Sequence, residues 1–80
     1  MKAKIHVTLK SGILDPQGRA IQQSLVTLGF SSVSDVRVGK FLEVELQDTD
    51  KNQAELKLKA MCEKLLANTV IEDYRFELVK

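Results

Sequence analysis

Gly12-Ile13-Leu14-Asp15-Pro16-Gln17-Gly18 is the stretch on which the fold turns, because it places a strand stop and a helix start side by side. Asp15 suits an N-cap: its carboxylate accepts from the helix's unpaired first N–H groups and sits at the positive end of the helix dipole. Pro16 fits the first helical position, where its missing N–H costs nothing and its fixed φ is already helical. It also biases Asp15 toward the extended conformation a cap takes. A strand therefore ends before Asp15, and a helix begins after it.

Upstream, Ala3, Ile5, Val7 and Leu9 alternate with Lys4, His6, Thr8 and Lys10, which predicts a half-buried strand over 3–10. Downstream, Ile21, Leu25 and Leu28 recur at helical spacing and Gly29 stands where a left-handed C-terminal cap belongs, so the helix runs from about Pro16 to Leu28. Two strands are expected next, Val33 to Val38 and Phe41 to Gln47, burying Val36, Val38, Leu42, Val44 and Leu46. Gly39-Lys40 between them reads as a two-residue hairpin turn. Asp48-Thr49-Asp50 opens a second helix, with Gln53 three residues after Asp50 in a capping-box arrangement. Ala54, Leu58, Met61, Cys62 and Leu65 form its apolar stripe, and Asn68 is its expected left-handed stop. Ile71 to Val79 reads as the last strand, with Tyr74, Phe76 and Leu78 on one face and Arg75 and Glu77 on the other.

The order is β-α-β-β-α-β. Right-handed crossovers and a hairpin fold it into an α+β two-layer sandwich of ferredoxin-like order: a four-stranded antiparallel sheet with both helices on one face, a single domain over residues 1–80. The other face then carries Lys4, His6, Thr8, Lys10, Arg37, Glu43, Glu45, Arg75 and Glu77, where cross-strand Lys–Glu pairs are expected. Two readings stay open for that face, a solvated surface and a polar dimer or assembly interface. A chain this short buries only about 60–65% of its unfolded surface, which favours association.

Composition narrows the function classes. The 80 residues carry a net charge of +1 with both signs interspersed, so neither nucleic acid nor an anionic membrane is the expected ligand. Met1-Lys2-Ala3-Lys4 leads into alternation and not into an apolar run, so no signal peptide or membrane span is expected, and the cytoplasm is the expected location. The lone cysteine, Cys62, fits a reducing compartment.

A thiol enzyme needs Cys and His within hydrogen-bond reach. Cys62 falls on the inward stripe of the second helix and His6 on the outward face of the first strand, with the sheet between them, so Cys62 reads as a structural thiol. Asp48 to Asn52 imitates the start of a calcium loop, but Gln53 stands where Gly is required and Lys59 where a bidentate Glu is required. One His and one Cys make no zinc constellation, and Gly39-Lys40 lacks the preceding glycines of a P-loop. A phosphate at the first helix would meet Asp15 already in the cap, and Glu43 and Glu45 would repel the backbone of a bound RNA. The expectation is a binding or assembly module without catalytic, cofactor-binding or metal-binding residues.

Four segments carry a resemblance: Lys10-Ser11-Gly12-Ile13-Leu14-Asp15-Pro16-Gln17-Gly18, Leu28-Gly29-Phe30, Val36-Arg37-Val38-Gly39-Lys40, and Leu65-Leu66-Ala67-Asn68-Thr69-Val70-Ile71-Glu72-Asp73-Tyr74. With them the chain resembles the PurS family, the small subunit of phosphoribosylformylglycinamidine synthase in purine synthesis. It departs from the family at Thr69, where Pro is usual, which leaves the turn before the last strand less rigid. The resemblance implies a complex that makes formylglycinamidine ribonucleotide from formylglycinamide ribonucleotide with ATP and with ammonia from glutamine. Partner subunits would hold the cofactors: a large synthetase subunit for ATP and magnesium, and an amidotransferase subunit for glutamine. The small subunit would bridge them as a homodimer or dimer of dimers and support ammonia transfer.

The residues expected to touch partners are Gln17 and Arg19 at the first helix, Arg37 and Lys40 around the hairpin, and Glu72 and Asp73 at the last strand. Gly12, Asp15, Pro16, Gly18, Gly39 and Asn68 are assigned to turns and caps. The alternative is a stand-alone regulatory module of ACT-like architecture that binds a free amino acid.

Overall fold

The computed structural model describes residues 1–80, which run β1 (Lys2–Leu9), α1 (Pro16–Thr27), β2 (Gly39–Glu45), α2 (Lys51–Met61), a π-helical turn (Cys62–Leu66) and β3 (Glu72–Val79). The fold is α+β, but the sheet has three strands, not the expected four, in the antiparallel order β2-β1-β3. The segment 33–38 keeps the expected alternation, with Val36 and Val38 half-buried and Arg37 exposed, yet it joins no ladder. Two of its polar backbone groups have other partners: the Val38 N–H donates to the Asp15 carboxylate at 2.8 Å, and the Val33 carbonyl accepts from the Gln22 amide at 3.0 Å. With those groups engaged, no neighbouring strand is needed to satisfy them. Gly39 and Lys40 are likewise not a hairpin turn. They open β2, opposite Thr8 and Val7.

Alternation in β1 buries Ala3, Ile5 and Val7 on one face, and Ile5 lies opposite Leu42 of β2 and Phe76 of β3. Ala54, Leu58 and Cys62 of α2 and its π turn pack onto that face, and with Leu46 and Ala67 they complete an eight-residue core. Leu42, Val44, Tyr74, Phe76 and Leu78 surround it half-buried. One helix therefore covers three strands and leaves the margins of the face open.

The second helix expected on that face is elsewhere. Gly18 is the only buried residue of α1, and no residue of 10–38 belongs to the core or packs against it. The chain measures 49 × 26 × 14 Å with a radius of gyration of 16.1 Å, against about 12 Å for a globule of this length. Residues 10–38 thus form an arm, with α1 as one limb and 28–38 as the returning limb.

The caps of α1 follow the sequence. Asp15, extended at φ −117° and ψ 90°, accepts from the Gly18 N–H at 2.8 Å, and Pro16 takes the first turn. At the other end Gly29 adopts φ +107°. Its N–H donates to the Val26 carbonyl and that of Phe30 to the Leu25 carbonyl, the paired bonds of a Schellman stop. In α2 the cap is Asp50, whose carboxylate accepts from Asn52 and not from the Gln53 of the expected capping box. The end of α2 corrects two further expectations. The π turn, closed by the Ala67 N–H on the Cys62 carbonyl, inserts extra residue width and turns Leu66 and Ala67 inward, leaving Leu65 82% exposed. Asn68 does not stop the helix in a left-handed conformation, because no residue other than glycine has positive φ. Ala67 ends it in extended backbone, while the Asn68 side chain accepts from Val70 and its N–H donates to Glu72 Oε1 at 2.7 Å.

On the open face of the sheet, Lys2 Nζ lies 3.3 Å from Glu43 and 3.8 Å from Glu45, realising the expected cross-strand pairing one residue pair nearer the N-terminus than Lys4. His6 stands on this face between Phe41 and Arg75, its ring 4.8 Å from that of Phe41.

Candidate functional site

The base of the arm is where sequence-distant polar groups converge. Asp15 divides its carboxylate between two elements, Oδ1 on the Gly18 N–H and Oδ2 on the Val38 N–H. Those bonds, Val38 first, hold its carboxyl below the usual carboxylate range, and the Arg37 guanidinium adds to the effect. Arg37 in turn donates to the Leu9 and Lys10 carbonyls at the end of β1, the latter at 3.1 Å. Gly18 is buried here, and a Cβ on it would collide with the Val36 carbonyl oxygen. Two clefts flank Asp15. One, of about 440 Å³, is lined by Ser11, Arg19, Gln22, Asp35 and Arg37; the other, of about 420 Å³, by Val7, Leu9, Gln17, Val38, Lys40 and Glu72.

Five of the six residues expected to touch partners therefore surround the arm base: Arg19 and Arg37 on one side, Gln17, Lys40 and Glu72 on the other. Asp73 does not join them. It lies on the open face of the sheet beside His6, Thr8 and Arg75. Of the residues assigned to turns, Gly12 has φ +86°. Gly39 instead allows a close approach of β1, since a Cβ on it would fall 2.5 Å from the Val7 carbonyl oxygen.

Sequence reasoning missed the apolar surface of the arm. A helix packed on the sheet would bury Ile21 and Leu28, but Ile21 is exposed and Leu28 is 73% exposed, and Ile13, Leu14, Val26 and Phe30 are exposed as well. Helical spacing identifies an apolar stripe; it does not say whether the cover comes from the same chain.

The chemistry-bearing side chains do not meet. Cys62 is fully buried against the inner face of the sheet, where burial, with Glu63 nearby, pushes its thiol pKa up. His6 is on the other face. Burial and the hydrogen bond donated to Glu63 at 3.0 Å likewise raise the Tyr74 hydroxyl. The Lys57 ammonium, 2.7 Å from Asp48, lowers that carboxyl. No three His, Cys, Asp or Glu residues gather as metal ligands, and no helix is long and apolar enough to cross a membrane. What the arrangement offers is surface: an apolar arm, two polar clefts at its base and a sheet with margins uncovered.

Known proteins resemble the chain over its whole length. The family model PurS, described as phosphoribosylformylglycinamidine (FGAM) synthase, matches residues 2–80. The phosphoribosylformylglycinamidine synthase subunit PurS of Bacillus subtilis is 49% identical over 77 residues, covering 96% of this chain and 90% of that protein. Among solved structures, the C2 crystal form of Bacillus subtilis PurS superposes with a TM-score of 0.89 at 48% identity, covering 99% of this chain and 98% of that one. A chain in the structure of PurLQS from Thermotoga maritima gives 0.87 at 32% identity, covering 98% and 95%. With the fold, the length and the sequence all matched, this chain belongs to the PurS family.

Proposed function

We propose that the chain is the small, non-catalytic subunit of FGAM synthase in purine biosynthesis, bridging the synthetase and glutamine amidotransferase subunits and supporting ammonia transfer between them. The observation that carries this reading is its likeness, end to end, to a chain of the Thermotoga maritima PurLQS structure. ATP, magnesium and glutamine belong to the partner subunits, and the cytoplasm is the site of action. The surfaces support a role in assembly: a core of eight residues is small for an independent domain, while the arm keeps Leu28 and Phe30 in solvent. The same features support a homodimer, in which a second copy covers the arm and the sheet margins. Gln17, Lys40 and Glu72 in one cleft, Arg19 and Arg37 in the other, and Asp73 on the open face are the proposed partner contacts.

The test mixes the purified chain with candidate synthetase and amidotransferase subunits, with ADP, magnesium and glutamine, and reads mass by light scattering. A ternary complex is the expected result, weakened by charge reversal at Lys40 or Asp73 with the thermal transition nearly unchanged. No complex, together with calorimetric binding of a free amino acid, would replace this reading with that of an amino-acid sensor.

A further inference from the structure

The direction of the arm is not set by packing, since nothing in 10–38 enters the core. It is set at the base by a few directed bonds. An N-cap needs one oxygen, and Asp15 supplies it with Oδ1 on Gly18. Its other oxygen crosses to Val38, 23 residues further on, and so ties the outgoing limb of the arm to the returning one. Arg37 fastens the returning limb to the end of β1 through the Leu9 and Lys10 carbonyls. Gly18 lets the first turn of α1 close against the Val36 backbone, where a side chain would force the limbs apart.

We propose that Asp15, seconded by Arg37, is the positioning residue of assembly: it clasps the base of the arm so that the arm is held at one angle to the sheet before any partner arrives. The inference rests on the assembly role proposed above. A surface held in its bound geometry binds more tightly because less freedom is lost on association. The carboxylate suits the task because its bonds to two N–H groups are charge-assisted and therefore directional and strong. The lowered pKa of Asp15 is consistent with both bonds being made to the ionised form. Asp15 need not touch a partner to act.

The discriminating variant is Asp15→Ser, whose hydroxyl still caps Gly18 but offers no second oxygen to Val38. Three quantities are measured: the melting temperature, hydrogen exchange at the Val38 amide, and affinity for the mixed synthetase and amidotransferase subunits. The expected result is a small fall in melting temperature from the loss of one carboxylate bond, faster exchange at Val38 with β1 and β3 amides still protected, and assembly weakened roughly tenfold or more, the scale at which preorganisation acts. Unchanged assembly affinity, or unchanged Val38 exchange, overturns the proposal. Should Asp15→Ser fail to fold, Arg37→Gln decides: faster Val38 exchange with weaker assembly supports the clasp, whereas Val38 exchange left unmoved overturns it. Failure of the wild-type chain to bind the large subunits would defeat the assembly reading instead, and Val38 exchange in Asp15→Ser would still decide whether the clasp exists.

Discussion

Replacing Leu58 and Leu65 separately by alanine measures what the π turn does. Both leucines fall on one helical stripe by spacing, yet Leu58 is fully buried against β1 and Leu65 is 82% exposed. Truncating a fully buried leucine costs about 2–5 kcal/mol, from lost transfer energy and the cavity left behind. An 80-residue domain is stable by roughly 4–12 kcal/mol, so Leu58→Ala removes a large share of it. At about 4–8 °C per kcal/mol for a domain of this size, the melting temperature should fall by roughly 10–40 °C. Leu65→Ala should stay within about 0.5 kcal/mol, a shift of no more than roughly 4 °C. The assay is thermal unfolding followed by circular dichroism at one fixed protein concentration, which matters because association shifts apparent stability. Equal shifts for the two variants would refute the reasoning, since they would return Leu65 to the core and leave the π turn without effect on packing.

Other outcomes follow from the same contacts. Because Asp15 has its acidity strengthened on folding, it contributes stability that is complete above its ordinary pKa of 3.8 and is lost as pH falls through the lower folded value. The difference in urea midpoint between wild type and Asp15→Asn should therefore shrink in acid, and a difference constant with pH would contradict the two carboxylate bonds. Burial that raises the Cys62 pKa above 9.0 keeps thiolate scarce at neutral pH, so a disulfide reagent should label the folded chain slowly and the denatured chain at once; fast labelling of the folded chain would place Cys62 outside the core. Gly18→Ala gains up to about 1 kcal/mol of helix propensity but loses about 1–3 kcal/mol to overpacking against Val36, so denaturant titration should find a net loss. Gly29→Ala meets no neighbouring atom and should lose only the roughly 1–2 kcal/mol of its left-handed backbone.

Local signals were legible where one residue type answers one physical need. Asp15-Pro16 begins α1, Gly29 ends it with positive φ, and the alternation in β1 and β3 names the faces that the sheet buries and exposes. What the sequence did not disclose is which partners those elements choose. Val33 to Val38 alternates like a strand, but strand pairing is a long-range choice, and here Asp15 and Gln22 each take one of the backbone groups that a ladder would have used. Ile21 and Leu28 look like core because helical spacing marks an apolar stripe without naming its cover. Leu65 was misplaced for a different reason: the π turn changes the angular step per residue after Cys62, and nothing in Cys62-Glu63-Lys64-Leu65-Leu66 marks it. The sequence offers Arg19 and Arg37 as partner contacts, yet Arg37 also holds the arm's return to β1. The gathering of five such residues at one base depends on the arm folding back, which no local pattern encodes.

The proposed role, joining the subunits of FGAM synthase without reacting, can be tested directly. The most direct test measures glutamine-dependent formation of formylglycinamidine ribonucleotide by the synthetase and amidotransferase subunits, with and without the chain. Adding the chain should switch on that rate in step with formation of the ternary complex, while the chain by itself should turn over neither glutamine nor ATP. A rate that is the same with and without it, or turnover by the chain alone, would contradict that role.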